Sequence, residues 1–196
     1  MKKTKSNATR PLRWIEARKV MLFLENEKDY HHLLIVSIGF YTGYRITDIL
    51  SLKYSDFKGE YLDITERKTS KQRAVKIIDE LRRIVTLCQT ALKKKDKHFI
   101  FTRMRFNSDK PISTEAGIER IAKALTKAGV QAKKKTGHVL RKTFALRYFE
   151  LAKEAVGEER ALIELSDMLN HASKKVTRMY LGLSEQVQQD IFDSFA

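Results

Sequence analysis

Four groups of side chains in this sequence could do chemistry together. Arg45 and Asp48 stand three apart in TGYRITD. Lys68 and Lys71 lie in the polar connection ERKTSKQ. His138 and Arg141 are three apart in GHVLR, and Tyr180 follows His171 by nine positions in LNHASKKVTRMY. Cations and imidazoles can hold an anion and manage protons, and a tyrosine offers a hydroxyl nucleophile. Taken singly, each group has an ordinary explanation. Ion pairs at that spacing arise freely on helix faces, and lysines are common in solvated turns. The ordered combination needs elements that bring the four groups together.

The patterning supplies such elements. Residues 1–12 read as a basic arm closed by Pro11. Apolar Ile15, Val20, Leu22 and Phe23 predict a first helix from Trp14. The strongly apolar run Tyr30 to Thr42 predicts a central second helix, with Gly43 as its left-handed stop. A third helix is expected from Arg45, with Ile46, Ile49 and Leu50 on one face. The period then changes. YLDIT (Tyr61 to Thr65) and RAVKI (Arg73 to Ile77) alternate and read as a hairpin. A helix is expected from Asp79 to Lys95, and HFIFT (His98 to Thr102) as a short third strand. Ser113 or Thr114 caps a helix reaching Ala128. VLRKTFALRYFELAK reads as a helix with Leu140, Phe144, Tyr148 and Leu151 as its stripe and with His138 and Arg141 opposite. ERALIELSDML and the stretch holding Tyr180 supply two more helices, and SEQVQQDIFDSFA a short amphipathic one. The fold class is mainly α with a small antiparallel β-sheet.

Composition narrows the partner. The 196 residues fit one domain, and 42% hydrophobic residues can build a core. Lys and Arg total 39 against 24 acidic residues, a formal net charge of +15. That excess favours a polyanion, most simply nucleic acid. The single cysteine, Cys88, excludes an internal disulfide and a multi-cysteine zinc site, and fits a reducing cytoplasm. The N-terminus lacks the apolar run of a secretory signal, and Leu33 to Tyr41 is too short to cross a bilayer. A cytoplasmic protein with no membrane contact is expected.

The ordered set of motifs resembles the tyrosine recombinases, the phage integrase family of site-specific DNA recombinases. TGYRITDILSL resembles the family's first arginine box, HVLRKTFA its His-x-x-Arg box, and LNHASKKVTRMY the box that ends in the nucleophile. The hairpin lysine of ERKTSK is a weaker match. The resemblance covers roughly residues 13–185. It implies an integrase-like catalytic domain over residues 13–196, without an N-terminal core-binding domain. The chain would then be a fragment of a longer integrase or one of the short recombinases, such as the inversion-type regulators of fimbrial genes. The resemblance also implies roles. Tyr180 is the nucleophile that forms a 3′-phosphotyrosyl intermediate, and Arg45 and Arg141 clamp the scissile phosphate. Lys68 is the general acid, His138 and His171 bond the phosphate or manage protons, and Asp48 orients a neighbour. Lys71, Arg73, Lys142, Lys174 and Lys175 are expected on DNA. Val139 stands where the family often has an acidic residue, Lys142 where a histidine is common, and Asn170 where a glycine is frequent. The spacer from Arg141 to His171 is several residues longer than usual.

The chemistry accounts for the residue types. A phenol of pKa about 10 is a poor nucleophile at neutral pH and needs a cationic surround and a proton acceptor. Two guanidinium forks meet the non-bridging oxygens of a phosphodiester and stay charged. A lysine protonates the departing 5′ oxygen. Neither metal nor other cofactor is called for, because the arginines supply the positive charge. The expected partner is double-stranded DNA, with self-association to a tetramer on paired sites. Two other readings share these residues: a type IB topoisomerase-like activity, and a DNA-binding regulator without catalysis. Binding through phosphates by a +15 domain should weaken steeply with salt. A titration of duplex binding from low to physiological salt checks this, and a flat response contradicts it.

Overall fold

The computed structural model describes residues 10–66, 70–102, 110–130 and 136–183. Eight helices and one hairpin are seen among them. α1 (Trp14–Asn26) and α2 (Tyr30–Thr42) lead into a single turn, α3 (Ile46–Ile49), and a 3-10 turn at Tyr54–Phe57. β1 (Tyr61–Thr65) and β2 (Gln72–Lys76) follow, then α4 (Asp79–Ala91), α5 (Thr114–Lys127), α6 (Gly137–Val156), α7 (Glu158–Met168) and α8 (Lys174–Leu181). The strands are antiparallel, with Tyr61 opposite Lys76 and Thr65 opposite Gln72. This is the mainly α class with a small antiparallel sheet.

α2 is the axis. Leu33 through Phe40 are all buried, because α1, α4, α5 and α6 pack around it. An all-round apolar helix is a core helix by its composition. α6 can approach it closely only because position 39 is glycine. A Cβ there would lie 2.5 Å from Leu140 Cδ1. α2 ends where Gly43 takes φ +60. Ser113 caps α5 by accepting from Ala116 N at 3.3 Å, and Ser173 caps α8 by accepting from Val176 N at 3.4 Å.

Two apolar clusters result. The larger spans α1 to α5 and the start of α6, including Val139 and Leu140. The smaller joins the rest of α6 to α7 and α8 through Ala145, Phe149, Leu162, Leu165, Leu169 and Leu181, with Tyr180 packed against it. The long spacer before His171 is helical: α6 runs to Val156, Gly157 turns the chain at φ +83, and α7 begins at once.

Several expectations need correction. Among the described residues His98–Thr102 form no strand; only single bridges pair Phe99 with Lys53 and Thr102 with Pro111. α4 stops at Ala91, and Lys93 then takes φ 51. β2 spans 72–76 rather than 73–77. On α1, Ile15, Leu22 and Phe23 are exposed, and Ala17, Val20, Met21 and Leu24 form the buried face. On α6, Leu140 is buried, Phe144 and Tyr148 pack against the second cluster and His138 is exposed, as expected; Leu151 is exposed and Arg141 is buried, against expectation, because this helix is covered on two sides by two different clusters. The arm up to residue 9, the hairpin tip 67–69 and the closing segment 184–196 lie outside the described residues. Within the described residues no helix is long and apolar enough to cross a membrane.

Gly43 carries the strictest local demand. A Cβ there would sit 2.3 Å from the Phe144 ring, on a backbone that L-residues rarely adopt. Gly43→Ala should lose about 2–5 kcal/mol, the sum of left-handed strain and overpacking. Urea denaturation of the two proteins measures it.

Candidate active site

The site forms where the C-terminal end of α2 meets the seam between the two apolar clusters. A helix C-terminus exposes carbonyl oxygens and carries partial negative charge, so it draws cations. Arg141 reaches it from α6. Its Nη1 donates to Gly43 O at 2.6 Å and its Nη2 to Leu169 O at 2.8 Å. Arg73 reaches it from β2, donating to Thr42 O at 2.7 Å and Gly43 O at 3.3 Å. Arg45 is the residue just before α3, in extended backbone. It is ion-paired with the fully buried carboxylate of Glu66.

Arg73, which was expected on DNA, is drawn into the fold. It is 6% exposed, with its guanidinium 4.8 Å over the Tyr44 ring and 5.7 Å from that of Phe144. The alternation of β2 turns it inward, against α2, and away from the surface. Burial and the neighbouring Arg141 pull its pKa down to about 10. Tyr44 locks the arrangement by donating to Leu62 O at 2.5 Å and Arg73 O at 3.1 Å.

The second cluster supplies the other half. His171 and Tyr180 touch edge to face with ring centres 4.9 Å apart. His171 Nδ1 is 3.0 Å from Thr177 Oγ1, one helical turn before the tyrosine. Burial, then Arg141 and Arg45, hold the imidazole below its ordinary pKa, so it is neutral at pH 7 and can accept a proton. Burial pushes the Tyr180 phenol up to about 12, while Arg141, Arg45 and Arg73 act in the opposite sense. Lys142 Nζ lies 5.0 Å over the Tyr180 ring, so this lysine reaches the site itself.

Other expected residues stand as follows. His138 is exposed on the first turn of α6. Asp48 is buried at 2% exposure on α3, beside Thr47 Oγ1 at 3.5 Å. Lys71 is exposed at the base of the hairpin. Lys174 and Lys175 open α8 on the surface, Lys174 paired with Glu159. Lys68 lies outside the described residues. Glu66 and Asn170 were not picked out as site residues, yet they sit within it: Asn170 Nδ2 donates to Glu66 Oε2 at 3.0 Å. Burial at such a position shows in no local pattern.

The arrangement gathers three guanidinium groups, a neutral imidazole and a buried phenol from segments up to 135 residues apart, which is a set suited to an anion and a hydroxyl nucleophile. The fold is that of recombinase catalytic domains. A solved XerA recombinase superposes with a TM-score of 0.70 at 24% identity, over 97% of this chain and 65% of that one. A XerH site-specific recombinase, solved as a post-cleavage complex with its difH substrate, superposes at 0.68 and 20% identity over 93% of this chain and 52% of that one. The phage integrase family model matches residues 12–186, and the chain belongs to that family. A curated relative is the probable integrase/recombinase YoeC of Bacillus subtilis, 28% identical over 188 residues, which are 95% of this chain and 94% of that protein. The chain thus spans nearly all of YoeC but roughly half to two thirds of the two structural neighbours.

Two outcomes follow from these contacts. Arg141→Ala strands the Leu169 carbonyl and leaves Gly43 O only the longer bond from Arg73; it should cost about 1–3 kcal/mol of stability, so urea melts must accompany any activity assay of it. His171 in the folded state resists protonation, whereas the unfolded chain takes a proton near pH 6.5. The contribution is therefore intact above that pH and lost as pH falls below it. Melting temperatures of His171→Gln should drop less between pH 7 and pH 5 than those of the parent.

Proposed function

We propose that this protein is a site-specific DNA recombinase that breaks and rejoins DNA through a 3′-phosphotyrosyl bond. One observation carries the reading: the tertiary structure brings Tyr180 against His171 and beside Arg141 and Arg45, around the cationic end of the fold. In the proposed reaction Tyr180 Oη attacks the phosphorus of a DNA phosphodiester and the bond to the 5′ oxygen breaks. The phenolic proton passes to neutral His171, whose ring touches that of the tyrosine, and the leaving 5′ oxygen takes a proton from Lys68, as the family resemblance implies. Arg45 and Arg141 hold the non-bridging oxygens as charge builds there. His138 adds a bond to the phosphate. The new ester keeps the energy of the broken one, so a 5′-hydroxyl from another strand reverses the steps and seals the exchange. Double-stranded DNA is the partner, held also by Lys71, Lys142, Lys174 and Lys175, and tetramers form on paired sites.

The raised phenol pKa fits this reading. Without DNA the nucleophile stays protonated and inert, and a phosphate between the arginines completes the site. The test uses nicked duplexes with randomised cores, incubated with the protein and resolved on denaturing gels. A covalent protein–DNA adduct should form, survive excess EDTA, and enrich particular sequences. Tyr180→Phe should bind the same pool and give no adduct. An adduct from that variant at the parent rate, or a strict need for magnesium, overturns the mechanism.

A further inference from the structure

Glu66 has no role in the reaction just set out, yet it is a fully buried charge in the middle of the site. It follows β1 directly. Its N–H donates to Lys71 O at 2.9 Å, and its carbonyl accepts from Ser70 N at 2.8 Å, so it closes the base of the hairpin. Its side chain turns inward. Oε2 meets Arg45 Nη1 and accepts from Asn170 Nδ2 at 3.0 Å, and Oε1 lies 4.0 Å from Arg141 Nη1. A single carboxylate therefore touches both arginines and the residue immediately before His171.

Electrostatics explains why it is there. Arg45, Arg73 and Arg141 act on one another as like charges at close range, and two of them are nearly buried. Confining three guanidinium groups without a counter-charge is costly, and a buried carboxylate without cations is equally so. Exposure shows which side it serves. The Arg45 side chain is 23% exposed while that of Glu66 is 0%. The carboxylate thus lies on the covered side of Arg45, and the exposed part of that side chain faces away from it. A rival for the phosphate seat would lie in front.

Asn170 gives an independent observation. It holds φ 52, a conformation that glycine adopts without strain and asparagine tolerates. Its N–H donates to Asp167 O at 3.0 Å and that of His171 to Ser166 O at 2.9 Å, so the turn is built locally by its backbone. The side chain is not needed for that turn, and it reaches Glu66 across 104 positions of sequence.

We propose that Glu66 is a positioning residue: it holds Arg45 and Arg141 from behind and, through Asn170, ties the turn that bears His171 and leads into α8 with Tyr180 to the base of the hairpin. The proposal rests on the recombinase reading for its effect on cleavage, but the tether itself can be read without DNA. The variants are Glu66→Gln, which keeps the shape and removes the charge, Asn170→Gly, which keeps the backbone and removes the tether, and both together. Hydrogen exchange of the Asn170 and His171 amides should quicken at least fivefold in Glu66→Gln, while α2 amides keep the parent rates. Cleavage is followed in single turnover on the duplex enriched from the randomised pool. At saturating DNA each single variant should cleave at least tenfold more slowly, with Kd within threefold of the parent. The double variant should be no slower than Glu66→Gln, because both changes break one link. Unchanged exchange at residues 170 and 171 overturns the proposal, as do losses that lie wholly in Kd or that multiply in the double variant. Should Glu66→Gln fail to fold, Asn170→Gly decides it: parent-like cleavage at the parent melting temperature overturns the tether. If the parent itself forms no adduct, the recombinase reading fails, and the exchange experiment still judges the tether.

Discussion

Everything in the site hangs from the carbonyl of Gly43. Gly43 is the left-handed residue that caps the central helix, and its carbonyl accepts hydrogen bonds from Arg141 and Arg73 at once. The helix end just before it, where the last carbonyls lack intrahelical partners and carry partial negative charge, draws cations to the same spot, and Arg73 also bonds Thr42 O there. Two cations that would otherwise repel are thereby fixed side by side. Gly43 must also be glycine, since its left-handed backbone and the Phe144 ring leave no room for a Cβ. The same residue ends the helix, seats the arginines, and aims the chain so that Arg45 follows two positions later.

α6 turns this anchor into a site. Its first turns belong to the large cluster and its later ones to the small cluster. Arg141 falls between Leu140 and Ala145, at the changeover, and its two terminal nitrogens bond Gly43 O on one side and Leu169 O on the other. A single buried guanidinium so connects the helix that carries no chemistry, α2, to the turn that leads to His171. The unit of α6, α7 and α8 that bears Tyr180 is joined to the rest along this seam.

Charge and burial are balanced there in a definite order. Arg73 and Arg141 give up hydration and recover it from backbone oxygens, aromatic faces and Glu66. Arg45 keeps part of its surface. Tyr180 loses more to burial than Arg141, Arg45 and Arg73 return to its anion, and its phenol is accordingly pushed up to about 12. The site is thus rich in positive charge and largely buried, the setting that the proposed phosphate contact calls for.

The sequence by itself determined the elements and the chemical vocabulary. Periodicity marks α2, the hairpin, α5, α7 and α8, since each is decided by local spacing and by caps such as Ser113. The motifs around Arg45, Arg141, His171 and Tyr180 are likewise readable as strings, and the structure brings those four together. Asp48, though legible in the same way, is decided by burial, and Lys68 falls outside the described residues. Only the tertiary structure decided where each charge sits and what it contacts. Arg73 reads as one more surface cation in an alternating strand, but its neighbours on β2 turn it under the end of α2. Arg141 reads as the polar side of α6, and the second cluster, assembled from residues 145 to 181, buries it. The short strand expected at residues 98–102 has the right residues but finds only isolated pairings. Glu66 and Asn170 meet across 104 positions. Local pattern records which residues share a face, whereas desolvation and ion pairing depend on what another part of the chain lays over that face.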